Sequence, residues 1–175
     1  MSSSPCSVSS PPTAGISHLT LDAYKQNAIH WEAIACLAAS SAIYAERAMS
    51  AARDYQVVSR STNQGFQGIY DFLTLAVQSA KLAIEGLAKF GESKNPEQSA
   101  NEIEKAGKVA LSAAHDAEGA MQDAFEEVPD EITPLIEEHS IALAHRNKAV
   151  NGGASVEEIK RARTEVAFKI SPSPD

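Results

Sequence analysis

Cysteine is scarce. Cys6 sits in a Ser/Pro-rich stretch and Cys36 in the middle of an apolar helix, and the two make no Cys-x-x-Cys pair. A disulfide scaffold and a thiolate zinc site are therefore not indicated. The pair reads as one tail thiol and one core residue in a reducing compartment. Aromatic residues supply only 6% of the chain, which argues against the aromatic and β-branched strands of a sandwich. Uninterrupted apolar sequence is also short. The longest run, Ala33 to Ala45, is bracketed by Glu32 and Glu46 and broken by Ser40 and Ser41, well below the roughly 20 residues that span a bilayer. On run length, no membrane insertion is expected. The first 18 residues hold no Lys or Arg and no apolar core segment, so a Sec-type secretory signal is not expected and a cytoplasmic location is.

Ligand-binding motifs are missing as well. No GxGxxG or Walker loop occurs, and Gly152-Gly153 has no such context. None of the five histidines follows a Glu by three residues, as a di-iron bundle requires, and His139 and His145, six apart, fall on different helix faces. The expectation is no metal and no cofactor.

What is present is alanine, 30 of 175 residues. Small side chains at helical spacing let helix axes approach closely, so the core must come from packed helices. Tyr24, Ala28, Trp31, Ala35, Ala38, Ala42, Ala45, Met49 and Ala52 step by three and four, which predicts a first helix with Thr20 as its cap, ending near Arg53 or Asp54. Tyr55 to Gln67 mixes β-branched, polar and Gly residues and reads as an irregular connection. Phe66, Ile69, Leu73, Val77, Ala80, Ile84, Leu87 and Phe90 then share one face of a second helix closed by Gly91. Asn95-Pro96-Glu97-Gln98 starts a third helix. Its seam, Ile103, Ala106, Ala110, Ala113, Ala117, Ala120 and Ala124, is almost pure alanine. Thr133-Pro134 starts a fourth by the same logic, with Leu135, His139, Ala142, Leu143, Arg146 and Val150 along or near its inner face and Gly152-Gly153 at its end. Ser155 and Glu158 form a capping box for a last helix through Ile170. The predicted fold is an all-α, antiparallel four- to five-helix bundle over 19–170 with Ala-rich seams. A disordered Ser/Pro-rich tail over 1–18 precedes it and a short tail over 171–175 follows.

Charge is uneven. The chain carries 23 acids and 15 bases, a formal net charge of −8. From Glu85 to Glu138 there are 14 acids and four bases, whereas His139 to Ile170 holds six bases and three acids. The ordinary account is a solvated acidic face; the sharper one is an anion meeting the basic C-terminal segment.

Two stretches resemble known families. His115-Asp116-Ala117-Glu118-Gly119-Ala120 is slightly similar to a histidine phosphotransfer domain, but Glu118 stands where such domains have a lysine, and it and Asp116 would repel a phosphoryl dianion. His115 is therefore expected to be an exposed helix-face histidine. His145-Arg146-Asn147-Lys148-Ala149-Val150-Asn151-Gly152 resembles the motif of HEPN domains, an all-α family, in its Arg-polar start, apolar spacer and following glycine. Asn151 occupies the family's histidine position, and Val150-Asn151 replaces the alternative Asp-Tyr pair.

The resemblance implies an RNA- or nucleotide-associated module that is weakened or non-catalytic. Asparagine can orient a water or hydroxyl but cannot serve as general base. On that implication the catalytic candidates are Arg146, Asn147 and Asn151, with His139 secondary because it lies seven residues before Arg146 on the same face. The phosphate-facing candidates are Arg146, Lys148, Lys160, Arg161 and Arg163. If catalysis survives, the activity is that of an endoribonuclease, and a homodimer is implied. Without the resemblance, a basic last turn complements the helix dipole. The Ser-rich, acid-free N-terminus resembles the secretion signals of bacterial type III effectors, which implies non-Sec export and a host-protein partner. The function expected overall is a non-enzymatic helical interaction module with a protein partner.

Overall fold

The structure, a computed structural model, describes residues 14–54, 60–125 and 130–170. It is all-α, with five helices and no strand among those residues: α1 Ala14–Asp54, α2 Arg60–Ala88, α3 Pro96–Ala124, α4 Thr133–Val150 and α5 Val156–Ile170. Single 3-10 turns, Phe90–Glu92 and Asp130–Ile132, lead into α3 and α4. Residues 1–13 of the expected tail, the segment 171–175 and the side chain of Phe66 lie outside the described residues.

The organising element is α1, which packs against all four other helices. Its expected stripe is buried at Ala28, Ala35, Ala38, Ala42, Ala45, Met49 and Ala52, but burial does not stop at a stripe: every residue from Glu32 to Glu46 is buried. A helix apolar all round is enclosed on all sides. By length and composition Thr20–Ala52 could cross a membrane, a point that the run-length argument missed because isolated polar residues do not prevent it. Here 83% of its most apolar window is buried within the protein itself.

The termination signals hold in part. Asn95 Oδ1 accepts from the Gln98 N–H at 3.1 Å, with Pro96 in the first turn of α3. Ser155 Oγ accepts from the Glu158 N–H at 3.1 Å, while the Ser155 N–H donates back to Glu158 Oε1 at 2.9 Å, completing the capping box of α5. At the end of α4, Gly153 N–H bonds Lys148 O at 2.7 Å and Gly152 N–H bonds Ala149 O at 2.9 Å, with Gly152 at φ 77°. That is a Schellman turn, and its left-handed residue is why glycine is there.

Five expectations are corrected. α1 begins at Ala14, so Thr20 lies within the helix and 14–18 are helical instead of tail. α2 begins at Arg60, inside the expected connection. In both cases a packed helix extends into sequence of modest propensity, because each added residue costs little once a nucleus exists. α2 ends at Ala88 and not at Gly91, which sits inside the 3-10 turn that carries buried Phe90. The N-cap of α4 is Ile132, with no side-chain cap bond, and Thr133 is its first helical residue. Along α4 the buried apolar residue of the last turn is Ala149, and Val150 is exposed.

Close approach is most demanding where α3 meets α1. A Cβ on Gly107 would stand 2.8 Å from the Trp31 carbonyl oxygen and 2.8 Å from its ring carbon Cε3. Backbone cannot yield as a flexible side chain does, so Gly107→Ala should destabilise by about 2 kcal/mol. Gly119→Ala, with nothing within 4 Å of the new Cβ, should instead be neutral or stabilising by up to about 1 kcal/mol. Urea denaturation of the two variants checks the contrast.

Candidate functional site at the corner of α4 and α5

Arg146 lies on the inward stripe of α4, 6% exposed. Its Nη2 donates to Glu118 Oε1 on α3 at 3.1 Å and its Nη1 to Ser41 Oγ on α1 at 3.4 Å. The expected phosphate-facing arginine is therefore an internal one. A buried guanidinium needs a carboxylate, and Glu118 supplies it at the junction of three helices. His139 shares that stripe and is also buried. Burial pushes its pKa below the ordinary 6.5; Glu118 opposes the shift and the charge on Arg146 adds to it. Among the described residues, neither His139 Nε2 nor Arg146 Nε, both buried, has a hydrogen-bond partner.

The other bases meet acids. Lys148 Nζ lies 2.6 Å from Glu158 Oε2, and His145 Nε2 lies 3.1 Å from the same oxygen. The Lys148 hydrogen bond first, and the Ser155 N–H second, pull the Glu158 pKa down to about 2. Arg163 forms a two-pronged pair with buried Glu32 on α1, Nε to Oε2 at 2.8 Å and Nη2 to Oε1 at 2.9 Å. Glu32 in turn holds Arg163 more firmly charged. Cys36 Sγ donates to Glu32 Oε2 at 3.6 Å, and burial, reinforced by that carboxylate, pushes the thiol pKa well up. Arg161 Nε stands 3.9 Å from Glu165 Oε2 and is largely exposed. Glu165 meanwhile accepts from Ser40 Oγ at 2.6 Å and from the Tyr44 hydroxyl.

The predicted patch is thus divided. Lys148, Arg161 and Arg163 stand against Glu158, Glu165 and Glu32 respectively, and Arg146 points inward. Asn147 and Lys160 are exposed. Asn151, at the position of the family's histidine, is the C-cap of α4, its Nδ2 donating to Asn147 O at 3.1 Å. His115 is exposed, as expected, 3.8 Å from Glu118.

A cleft of about 150 Å³ opens between α1, α4 and α5, with Ser40, Tyr44, His145, Glu158, Arg161 and Glu165 on its walls. Both of its hydroxyls donate to a carboxylate instead of an imidazole, which is not how a hydroxyl nucleophile is activated. No group of three or more His, Cys, Asp or Glu side chains is placed to hold a metal among the described residues. The chemistry of this corner is mutual neutralisation. It ties α5 to α1 and to the end of α4.

The acids that complete these pairs were the residues missed from sequence. Glu32 and Glu46 were read as brackets of an apolar run and Glu118 only as a repulsive neighbour of His115. The available signal was an acid embedded in small, buried residues, which demands a cation from elsewhere in the chain. In comparison with known proteins, no family model, curated protein or solved structure matches this chain.

Two outcomes follow. Because folding lowers the His139 pKa from 6.5, its protonation favours the unfolded chain. Its contribution to stability is complete above about pH 6.5 and is lost as pH falls through the lower folded value. The urea midpoint of the native protein should drop between about pH 7 and about pH 5, and His139→Leu should flatten that part of the profile. Arg146→Met should cost about 3 kcal/mol by stranding Glu118, while Lys148→Ala, at a half-exposed pair, should cost less than about 1 kcal/mol in the same assay.

Proposed function

We propose that this chain is a non-enzymatic helical interaction module, an up-and-down bundle built around α1 that acts by presenting a helix face to another protein chain. The register of interhelix contacts supports the topology. Asn27 bonds Glu104 at 2.8 Å and Trp31 meets Gly107, so contacts advance together along α1 and α3. Glu32 to Arg163 and Glu46 to Lys169 advance together along α1 and α5. Parallel odd-numbered helices imply that α2 and α4 run the other way.

The observation that carries the functional reading is the inward Arg146. A ribonuclease of the HEPN kind needs its arginine against the scissile phosphate and a titratable base beside it. Here the arginine is bound to Glu118 and the base position is a capping asparagine. Of the other patch cations, Lys148 and Arg163 serve interhelix pairs and Arg161 pairs within α5, while apolar side chains exposed on other helices offer a surface able to bind a protein chain.

Incubation with a mixture of tRNA and mRNA at low salt tests this. Neither cleavage nor retardation on a gel is the expected result, for the native protein and for Lys148→Ala alike. Cleavage that disappears in Arg146→Met, with the variant still folded by circular dichroism, would overturn the proposal in favour of an RNA-directed enzyme.

A further inference from the structure

The buried apolar side chains of the described residues fall into two clusters. The larger is drawn from α1, α2 and α3, with Phe90 of the turn between α2 and α3, and α5 adds only Val166 to it. The smaller joins Ile34, Cys36 and Leu37 of α1 to Ala149 of α4 and Ala162 of α5, with Ile159 half-buried beside them. Removing α5 would therefore leave the larger cluster nearly whole. The same is not true of α2 or α3, whose inward residues are that cluster.

Beyond its first turn, α5 is held on α1 chiefly by polar links. Arg163 binds both oxygens of Glu32 at 2.8 and 2.9 Å, Ser40 and the Tyr44 hydroxyl donate to Glu165, and Lys169 Nζ stands 3.9 Å from Glu46 Oε1. Glu32 is 2% exposed and Glu46 7%. Carboxylates so enclosed lose hydration when the helix closes on them and recover it when the helix leaves. Opening a polar joint is thus partly offset by rehydration, whereas opening an apolar one is opposed by it. The N-terminal end of α5 is tethered locally instead. Glu158 binds Lys148 and the Ser155 N–H, close to the short link from α4 that contains Gly152 and Gly153. Two adjacent glycines give that link a wide choice of backbone angles. A pivot stands at one end of the helix and a clasp further along it.

We infer that α5 is a strap that lifts as a unit from a folded core of α1, α2 and α3, pivoting at Gly152-Gly153 and releasing at Arg163. The lift takes Ala162 and Val166 out of their clusters and returns Glu32 and Glu46 to water. α4 keeps its own anchor, Arg146 on Glu118 and Ser41. Once free, the strap has 15 residues, near the length at which an isolated helix is marginal in water. It therefore unwinds as it leaves, and its amides exchange with solvent. The inference concerns opening alone and stands apart from what the chain binds.

Hydrogen exchange of the full chain at neutral pH, followed peptide by peptide, tests it. Amides of 160–169 should exchange at least about tenfold faster than the slowest amides of α1 and α3. Their exchange should also rise less steeply with urea, because a local opening uncovers less surface than global unfolding. Ile103→Val loosens the larger cluster where α3 meets Gly86 of α2. It should speed the slowest α3 amides about fivefold and leave 160–169 unchanged. Arg163→Met strands Glu32 in the closed state and should speed 160–169 at least about tenfold.

Exchange of 160–169 that follows α3 in Ile103→Val would mean that α5 opens only with the whole molecule, and the inference would fall. It would fall equally if Arg163→Met folded and left 160–169 at the native rate, since exchange would then come from fraying with the clasp shut. Ile103→Val retains the clasp and decides the matter if Arg163→Met does not fold. None of these results bears on the RNA assay.

Discussion

A helix enclosed on every side must be desolvated on every side, and that constraint on α1 orders the rest of the molecule. Alanine is what makes it feasible. Four helices can crowd one another around a fifth only where the contact positions are small, and at Gly107 even a methyl group is excluded by the Trp31 carbonyl. The acids at the two ends of the enclosed stretch, Glu32 and Glu46, cannot be left there alone. Arg163 and Lys169 on α5 answer them. The place of the last helix is thus dictated by charges carried on the first.

α5 therefore differs in kind from α2 and α3. Its apolar contribution is small, chiefly Ala162, Val166 and the half-buried Ile159. The rest of its attachment is polar: Arg163 on Glu32, Glu165 on Ser40 and Tyr44, and Glu158 on Lys148 and His145. Such links are directional, and they fix where a helix sits more than how tightly it is held. The cluster of Arg146, Glu118, Ser41 and His139 does the same for α4. Two buried nitrogens without partners mark it as costlier than an apolar contact would be.

Much of the architecture was legible in the residues. Asn95-Pro96, Ser155 with Glu158, and Gly152 each act through chemistry confined to a few neighbouring residues, so each could be read from a short window. The inward faces could be read too, because they repeat every three or four positions. Helix starts at Ala14 and Arg60 could not, since nothing local begins there and the extension is driven by packing further along. The direction of Arg146 was hidden for another reason. Periodicity placed it on the inner face of α4, but its partner lies on a different helix, and a lone sequence does not say which acid crosses the gap. A basic cluster in the sequence consequently looked like a surface for anions when four of its five members, Arg146, Lys148, Arg161 and Arg163, were claimed by carboxylates of the same chain.

One of those joints carries its own clock. Cys36 lies in the contact between α1 and α5, protonated and shielded, its sulfur turned to the carboxylate that Arg163 holds. A thiol reagent reacts with exposed thiolate and so finds almost none while the joint is closed. Each lifting of α5 would uncover the sulfur and relieve its burial together, so the rate at which Cys36 is modified counts openings of this one helix. Replacing the chain's other cysteine, Cys6, leaves Cys36 as the single reporting thiol. The breathing of the polar clasp can thus be timed with a native atom and no introduced probe.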